Sequence, residues 1–130
     1  MDPDAKTDKK RKSHRWGRWA EVFGAGLLIA KGHRILARRY KSPVGEIDLI
    51  AQRYRTVLFV EVKARASISD AAQSVLPHQR ARIVRAAEHW MAHNPQPDGT
   101  DYRFDVILIG RAFSIRHLKD AFQVEPVVRQ

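Results

Sequence analysis

Cysteine is absent from this chain of 130 residues. Its absence excludes disulfide bonds, a thiolate nucleophile and a cysteine-ligated zinc site, and it fits the reducing environment of the cytoplasm. Long apolar runs are also missing, since no segment reaches the roughly 18 apolar residues that a transmembrane helix needs. The N-terminus is charged but lacks the apolar core of a signal peptide. We therefore expect a cytoplasmic protein without a membrane partner.

Two kinds of catalytic motif are missing as well. The sequence contains neither a glycine-rich phosphate loop nor a serine nucleophile elbow. Nucleoside-triphosphate use and serine-based hydrolysis therefore have no motif to support them.

Negative charge is comparatively scarce. Lysine and arginine total 24 residues against 14 aspartates and glutamates, for a net charge of +10. Subtracting the six basic and three acidic side chains of residues 1–15 leaves 18 against 11, or +7. The positive charge therefore belongs to the main part of the chain too, and it predicts a polyanionic partner, nucleic acid in the first place.

The pattern predicts a disordered basic arm over residues 1–15 and a single domain over 16–130. The expected elements are a helix over 16–31, strands over 34–40, 46–52 and 56–64, a helix over 77–93 and a strand over 102–109, followed by an ambiguous segment, 115–122, compatible with a short helix. This order, α-β-β-β-α-β, predicts an α/β fold with a mixed sheet and helices packed on it. Helical spacing places Trp16, Trp19 and Trp90 in the core.

Charged side chains interrupt two strands that otherwise have core character. If Tyr54 and Arg55 form the tip of a hairpin, Asp48 lies directly opposite Glu61. The same register places Glu46 opposite Lys63, on the same face. Two facing carboxylates repel each other unless a cation compensates them, and Mg²⁺ prefers carboxylate oxygens. The alternative is a solvated hairpin face on which Glu46 and Lys63 form a cross-strand ion pair.

The stretches GEIDLIA (45–51) and FVEVKAR (59–65) closely resemble the YraN-like family of small uncharacterised bacterial proteins. That family is similar to the archaeal Holliday-junction resolvases and to the wider PD-(D/E)xK nucleases of restriction-endonuclease-like fold. The resemblance covers most of residues 16–123. It implies a restriction-endonuclease-like core.

The resemblance also implies roles for individual residues. Asp48 matches the metal-ligating aspartate, Glu61 the second acidic ligand and Lys63 the catalytic lysine. The carbonyl of Val62 would be a backbone ligand, and Glu21 matches a glutamate on the first helix that would be an outer ligand. The implied ion is Mg²⁺, with Mn²⁺ as a substitute.

A basic stripe on the second predicted helix is a candidate nucleic-acid surface. His78, Arg82 and Arg85 share one helical face, and Gln79 lies near a polar position that the resemblance places close to such sites. The stripe fits a phosphate backbone, and it equally fits a solvated helix face.

These observations predict a Mg²⁺-dependent endonuclease that hydrolyses phosphodiester bonds in DNA. Branched DNA as the substrate, and a homodimer with two active sites, follow by analogy with the resolvases. Two alternatives stay open. The first is a non-catalytic module for nucleic-acid binding or assembly that keeps the nuclease fold. The second is an adaptor whose basic face binds an acidic protein.

Overall fold

The computed structural model describes residues 18–64, 77–110 and 114–122. The predicted arm and Trp16 lie outside the described residues. The described elements follow one another as α1 (18–30), β1 (Arg34–Ser42), β2 (Gly45–Arg53), β3 (Thr56–Ala64), α2 (Pro77–His93), β4 (Asp101–Ile109) and β5 (Ile115–Leu118). The predicted order α-β-β-β-α-β is confirmed, and one further strand follows it.

The five strands form one mixed sheet in the order β1-β2-β3-β4-β5. The pairs β1–β2, β2–β3 and β4–β5 are antiparallel, whereas β3 and β4 run parallel. A parallel neighbour requires a crossover connection, and α2 lies within it. The structure thus confirms an α/β fold whose order and packing fit a nuclease-like core.

The hairpin of β2 and β3 has the predicted register. Arg53 pairs with Thr56 and Leu49 pairs with Val60, so that Tyr54 and Arg55 form the tip. Tyr54 has a φ of 53°, as tight two-residue hairpin turns require. This register directs Asp48 and Glu61 toward each other.

Apolar side chains cover both faces of the sheet. One cluster packs beneath α2 and includes Phe59 and Trp90; the other packs beneath α1 and includes Leu28 and Val60. Every residue of β4 from 104 to 109 is buried, as expected for a strand that is covered on both faces.

α2 begins and ends where its sequence predicts. Pro77 occupies the first turn, where its missing N–H removes no hydrogen bond. After the last residue, His93, the side-chain amide of Asn94 donates to the carbonyl oxygen of Trp90 at 2.9 Å. This contact satisfies one of the carbonyl groups that a helix C-terminus leaves without a partner.

Trp19 and the last segment differ from expectation. The predicted core position of Trp19 is wrong, because its side chain is 60% exposed, while Ala20 and Leu28 turn inward. The segment 115–122, which the sequence left ambiguous and compatible with a short helix, is a strand over Ile115–Leu118 and pairs with β4. The apolar spacing there fits a helix, but the backbone groups along the open edge of β4 offer hydrogen bonds that a helix would leave unused.

Neither described helix is long and apolar enough to cross a membrane.

Candidate active site

The candidate site lies where β2 and β3 stop pairing. Their ladder ends at Leu49 and Val60. Beyond this pair, the N–H of Val62 has a side chain as its partner instead of the backbone of β2. It donates a hydrogen bond to Oδ2 of Asp48 at 2.8 Å. The N–H and carbonyl of one residue point to the same edge of an extended strand. The Val62 carbonyl therefore faces the gap that Asp48 occupies.

Asp48 and Glu61 meet in this gap and are hydrogen-bonded to each other. Lys63 lies beside them, with its Nζ 3.4 Å from Oε1 of Glu61. The side chains of Glu61 and Lys63 are only 16% and 15% exposed. The structure therefore brings together the three predicted catalytic side chains. Among the described residues, the ion pair of Lys63 is formed with Glu61 and not with Glu46.

The pKa values of both carboxyl groups are raised. For Glu61, burial is the main cause of the raised pKa. The negative charge of Asp48 raises the pKa further, Lys63 lowers it, and the pKa of Glu61 reaches about 8. Burial also raises the pKa of Asp48, against the hydrogen bond from Val62 and with the help of the charge on Glu21. Near neutral pH the pair therefore retains a proton that an isolated pair of carboxylates would lose.

A divalent cation fits this donor set. Two carboxyl groups and a backbone carbonyl converge on one gap, and all three are oxygen donors of the kind that Mg²⁺ and Mn²⁺ prefer. No group of three or more histidine, aspartate or glutamate side chains in the described ranges is arranged to hold a metal ion. The carbonyl of Val62 would therefore be needed as a ligand beside Asp48 and Glu61.

Glu21 extends toward the site from α1. Its Oε2 accepts a hydrogen bond from Nε of Arg39 at 2.5 Å. Arg39 lies in β1 with a φ of 52°, a left-handed conformation that is costly for a residue with a side chain. The charge of Glu21 is close enough to raise the pKa of Asp48. Its predicted role as an outer ligand stays a prediction, since in this structure Arg39 binds the carboxylate.

A cavity of about 150 Å³ opens in front of the carboxyl pair. Glu46, Asp48 and Glu61 line it from the strands, and Gln79, Arg82 and Ile83 line it from α2. Two of the four predicted nucleic-acid contacts, Gln79 and Arg82, thus lie at the site. The other two, His78 and Arg85, are exposed on the same helix but do not line the cavity.

Gly45 is a site residue to which the sequence analysis gave no role. A Cβ atom placed on Gly45 would lie 2.2 Å from the carbonyl oxygen of Arg82. Only a glycine at the start of β2 therefore lets the backbone of α2 come close enough to place Gln79 and Arg82 over the carboxyl groups. The signal in the sequence was the glycine that opens GEIDLIA, two residues after Pro43.

Tyr40 is a second residue that sequence reasoning missed. Its hydroxyl group is hydrogen-bonded to Nδ1 of His89 at 2.5 Å, which ties β1 to α2. His89 shares the helical face of His78, Arg82 and Arg85, which would make it part of the basic stripe. The contact instead gives it a part in holding α2 across the strands that carry the site.

Comparison with known proteins places these residues within a family. The model of the uncharacterised protein family UPF0102 matches residues 20–109. The UPF0102 protein RPA0323 of Rhodopseudomonas palustris (strain ATCC BAA-98 / CGA009) is 47% identical over 129 residues, covering 94% of this chain and 99% of the relative. The UPF0102 protein BRADO0179 of Bradyrhizobium sp. (strain ORS 278) is 51% identical over 112 residues, covering 86% and 79%. The matched segment includes all three of Asp48, Glu61 and Lys63.

Proposed function

The chain belongs to the uncharacterised protein family UPF0102, and for this member we propose metal-dependent hydrolysis of phosphodiester bonds in DNA. The observation that carries the proposal is the meeting of Asp48 and Glu61 at the wall of an open cavity. A buried pair of like charges reduces stability, and such pairs are found preferentially at functional sites.

The chain's own donors define how an ion would be held. Asp48 and Glu61 would bind Mg²⁺, or Mn²⁺ in its place, through their carboxylate oxygens, and Val62 would bind it through its carbonyl. When bound, the ion supplies Lewis acidity toward phosphate oxygens and water. Because the ligands belong to two rigid strands, their positions are fixed before substrate arrives.

Lys63 has the position of a residue that handles the attacking water. Its ammonium group lies within the range of an ion pair from Glu61, and it carries three donors. It would hold the water by a hydrogen bond or neutralise a phosphate oxygen, while the carboxylate of Glu61 limits its movement. Replacing it would therefore reduce the rate more than the affinity for substrate.

Arg82 and Gln79 would hold the substrate. Both line the cavity from α2, and a guanidinium group binds phosphate oxygens in a bidentate manner. His78 and Arg85 extend the basic surface along the helix. Branched DNA is the substrate that the likeness to resolvases suggests, and cutting both strands at a junction would require the two active sites of a homodimer.

The experiment that tests the proposal is cleavage of labelled linear, single-stranded and four-way-junction DNA with Mg²⁺ or Mn²⁺. The variants are Asp48→Asn and Lys63→Ala, and Asp98→Asn is the matched control because Asp98 is an exposed residue outside the cavity. We expect cleavage by the wild type and by the control. Both site variants should lose roughly a hundredfold or more in rate, as removal of a ligand or a positioned proton donor typically does.

Binding must be measured on the same substrates. Retained binding by Asp48→Asn without cleavage would support the assigned roles. Binding without cleavage by the wild type on every substrate would overturn the hydrolytic function and favour the non-catalytic module. Absence of both metal binding and DNA binding would favour the protein adaptor.

A further inference from the structure

A second cavity lies at the opposite end of the β2–β3 hairpin. It has a volume of about 170 Å³, and its lining includes His33, Arg53, Tyr54, Arg103 and Lys119. Its lining residue Thr56 lies five positions before Glu61 on β3, a distance of roughly 17 Å for an extended strand. The cavity is therefore separate from the candidate active site.

Positive charge dominates this second cavity. Arg53, Arg103 and Lys119 line it, and none of its described lining residues is a carboxylate. His33 lies in the resulting field: burial lowers its pKa first, and repulsion by Arg53 and Arg103 lowers it further, against a hydrogen bond to the backbone of Leu28. An anion is the ligand that such a lining favours.

A buried carboxylate behind the cavity holds two of the cations in place. Asp105 is fully buried, and it accepts hydrogen bonds from Nε and Nη2 of Arg103 at 2.8 and 3.0 Å. It also accepts a hydrogen bond from the backbone N–H of Asp120 at 3.0 Å, which fixes the turn that carries Lys119. The two-point contact of Asp105 with Arg103 thus organises the lining of the cavity.

The network extends one step further from the same carboxylate. Nε2 of His117 lies 2.7 Å from Oδ2 of Asp105, and Nδ1 of His117 lies 2.9 Å from Nζ of Lys31. Since an ammonium group can only donate, Nδ1 accepts and Nε2–H donates to Asp105. Arg103, His117 and Lys31 therefore form one network around Asp105, and this network holds Arg103 in position before a ligand binds.

An exposed aromatic ring stands at the mouth of the cavity. Tyr54 is 86% exposed at the hairpin tip, and the guanidinium carbon of Arg53 lies 5.3 Å from its ring centroid. A large exposed ring beside cations is the arrangement on which unpaired bases stack. Nothing in the described packing requires a tyrosine there.

We infer that this second cavity binds a phosphate group of single-stranded nucleic acid, with the adjacent base stacked on Tyr54. Arg53 and Lys119 donate to the phosphate oxygens, and Asp105 holds Arg103 as the third cation. The inference rests on the nucleic-acid class of substrate in the proposed function. It does not depend on hydrolysis or on a bound metal.

The test is fluorescence anisotropy of a labelled oligothymidine with the full chain in EDTA. The variants are Tyr54→Ala and the double variant Arg53→Ala/Lys119→Ala, and all three side chains are exposed, so the core stays intact. Arg116→Ala is the matched control, because Arg116 is exposed on β5 and does not line the cavity. We expect roughly tenfold weaker binding for each cavity variant, and a salt slope about 0.7 smaller for the double variant.

Two results would overturn the inference. Equal losses in Arg116→Ala and in the double variant would assign the binding to general positive charge. Unchanged oligothymidine affinity in Tyr54→Ala, together with amide shifts of Arg53 and Lys119 on addition of inorganic phosphate, would make free phosphate the ligand. Failure of the hydrolytic function would be recognised separately, because it concerns cleavage with metal and this binding is measured without it.

Discussion

Gly45 and Arg82 are in direct backbone contact. A Cβ atom on Gly45 would lie 2.2 Å from the carbonyl oxygen of Arg82 and 2.9 Å from its carbonyl carbon. Real Cβ atoms do not approach backbone atoms so closely, so β2 and α2 would have to separate to admit one. The contact therefore controls how far the side chains of α2 lie from the carboxyl groups of the hairpin.

Replacing Gly45 by alanine should lower the free energy of unfolding by roughly 1–3 kcal/mol, the usual cost of overpacking. It should also weaken substrate binding, because Arg82 moves away from the cavity. Urea unfolding and DNA binding measure the two effects. Gly26→Ala is the matched control: a Cβ there meets nothing within 4 Å, so this helical substitution should stabilise the protein by roughly 0.5–1 kcal/mol. Equal stability of both variants would contradict the close contact.

Glu61 should make the metal-free protein less stable at alkaline pH. Its ordinary pKa is 4.5, and in the folded protein burial and Asp48 raise its pKa to about 8. Between these values the folded state binds more protons than the unfolded state, so the free energy of unfolding falls as the pH rises. We expect a loss on the order of 5 kcal/mol across this window, measured by urea unfolding in EDTA.

Glu61→Gln provides the control for this pH dependence. Glutamine has the same shape and no titrating proton, so the slope between these two pKa values should largely disappear. A wild-type profile that is flat across the window would show that the pair does not retain its proton.

Addition of Mn²⁺ or Mg²⁺ should raise the midpoint of thermal unfolding. At a concentration tenfold above Kd the stabilisation is about 1.4 kcal/mol. Because the ion must displace a proton from the pair, the effect should be larger at about pH 8.5 than at about pH 6. Differential scanning calorimetry measures it. Asp48→Asn should abolish the shift, and an undiminished shift in that variant would place the ion elsewhere.

Asp105 should determine how the free energy of unfolding changes at acid pH. Burial alone would raise its pKa, but the hydrogen bonds from His117, Arg103 and the Asp120 N–H outweigh burial and lower its pKa to about 2. Stability from these bonds is therefore present above its ordinary pKa of 3.8 and is lost as the pH falls toward 2.

Asp105→Asn should cost roughly 3–5 kcal/mol near neutral pH, because it leaves the partners of a buried ion pair unbalanced. Urea unfolding at neutral pH measures this cost, and acid titration followed by circular dichroism shows the loss at low pH. The variant should lack the part of the acid transition that lies between these two pKa values. An unchanged transition would mean that other groups dominate acid unfolding.

The hairpin and its carboxyl pair could be predicted because their information is local. Alternation of side chains fixes which residues share a face, and a two-residue tip fixes the register. Asp48 and Glu61 therefore follow from a short stretch of sequence. The boundaries of α2 were equally local, since Pro77 and Asn94 mark them.

The features that sequence reasoning missed depend on distant partners. Gly45 has meaning only against the backbone of Arg82, which lies in another element. Trp19 was placed in the core because its spacing fits a helical stripe, yet packing against the sheet selects the face that contains Ala20 and Leu28. The strand Ile115–Leu118 is explained only by the edge of β4 that it completes.

The two cavities differ in how far apart along the chain their parts lie. Closing one local hairpin brings Asp48 and Glu61 together, whereas the basic cavity joins His33, Arg53 and Lys119 through the parallel pairing of β3 with β4. Pairing between distant segments forms late in folding, because the connecting chain must close first. We therefore expect the acidic pair to form early and the basic cavity late. Partial unfolding that begins at β4 and β5 would remove the basic cavity while the metal ligands still face each other.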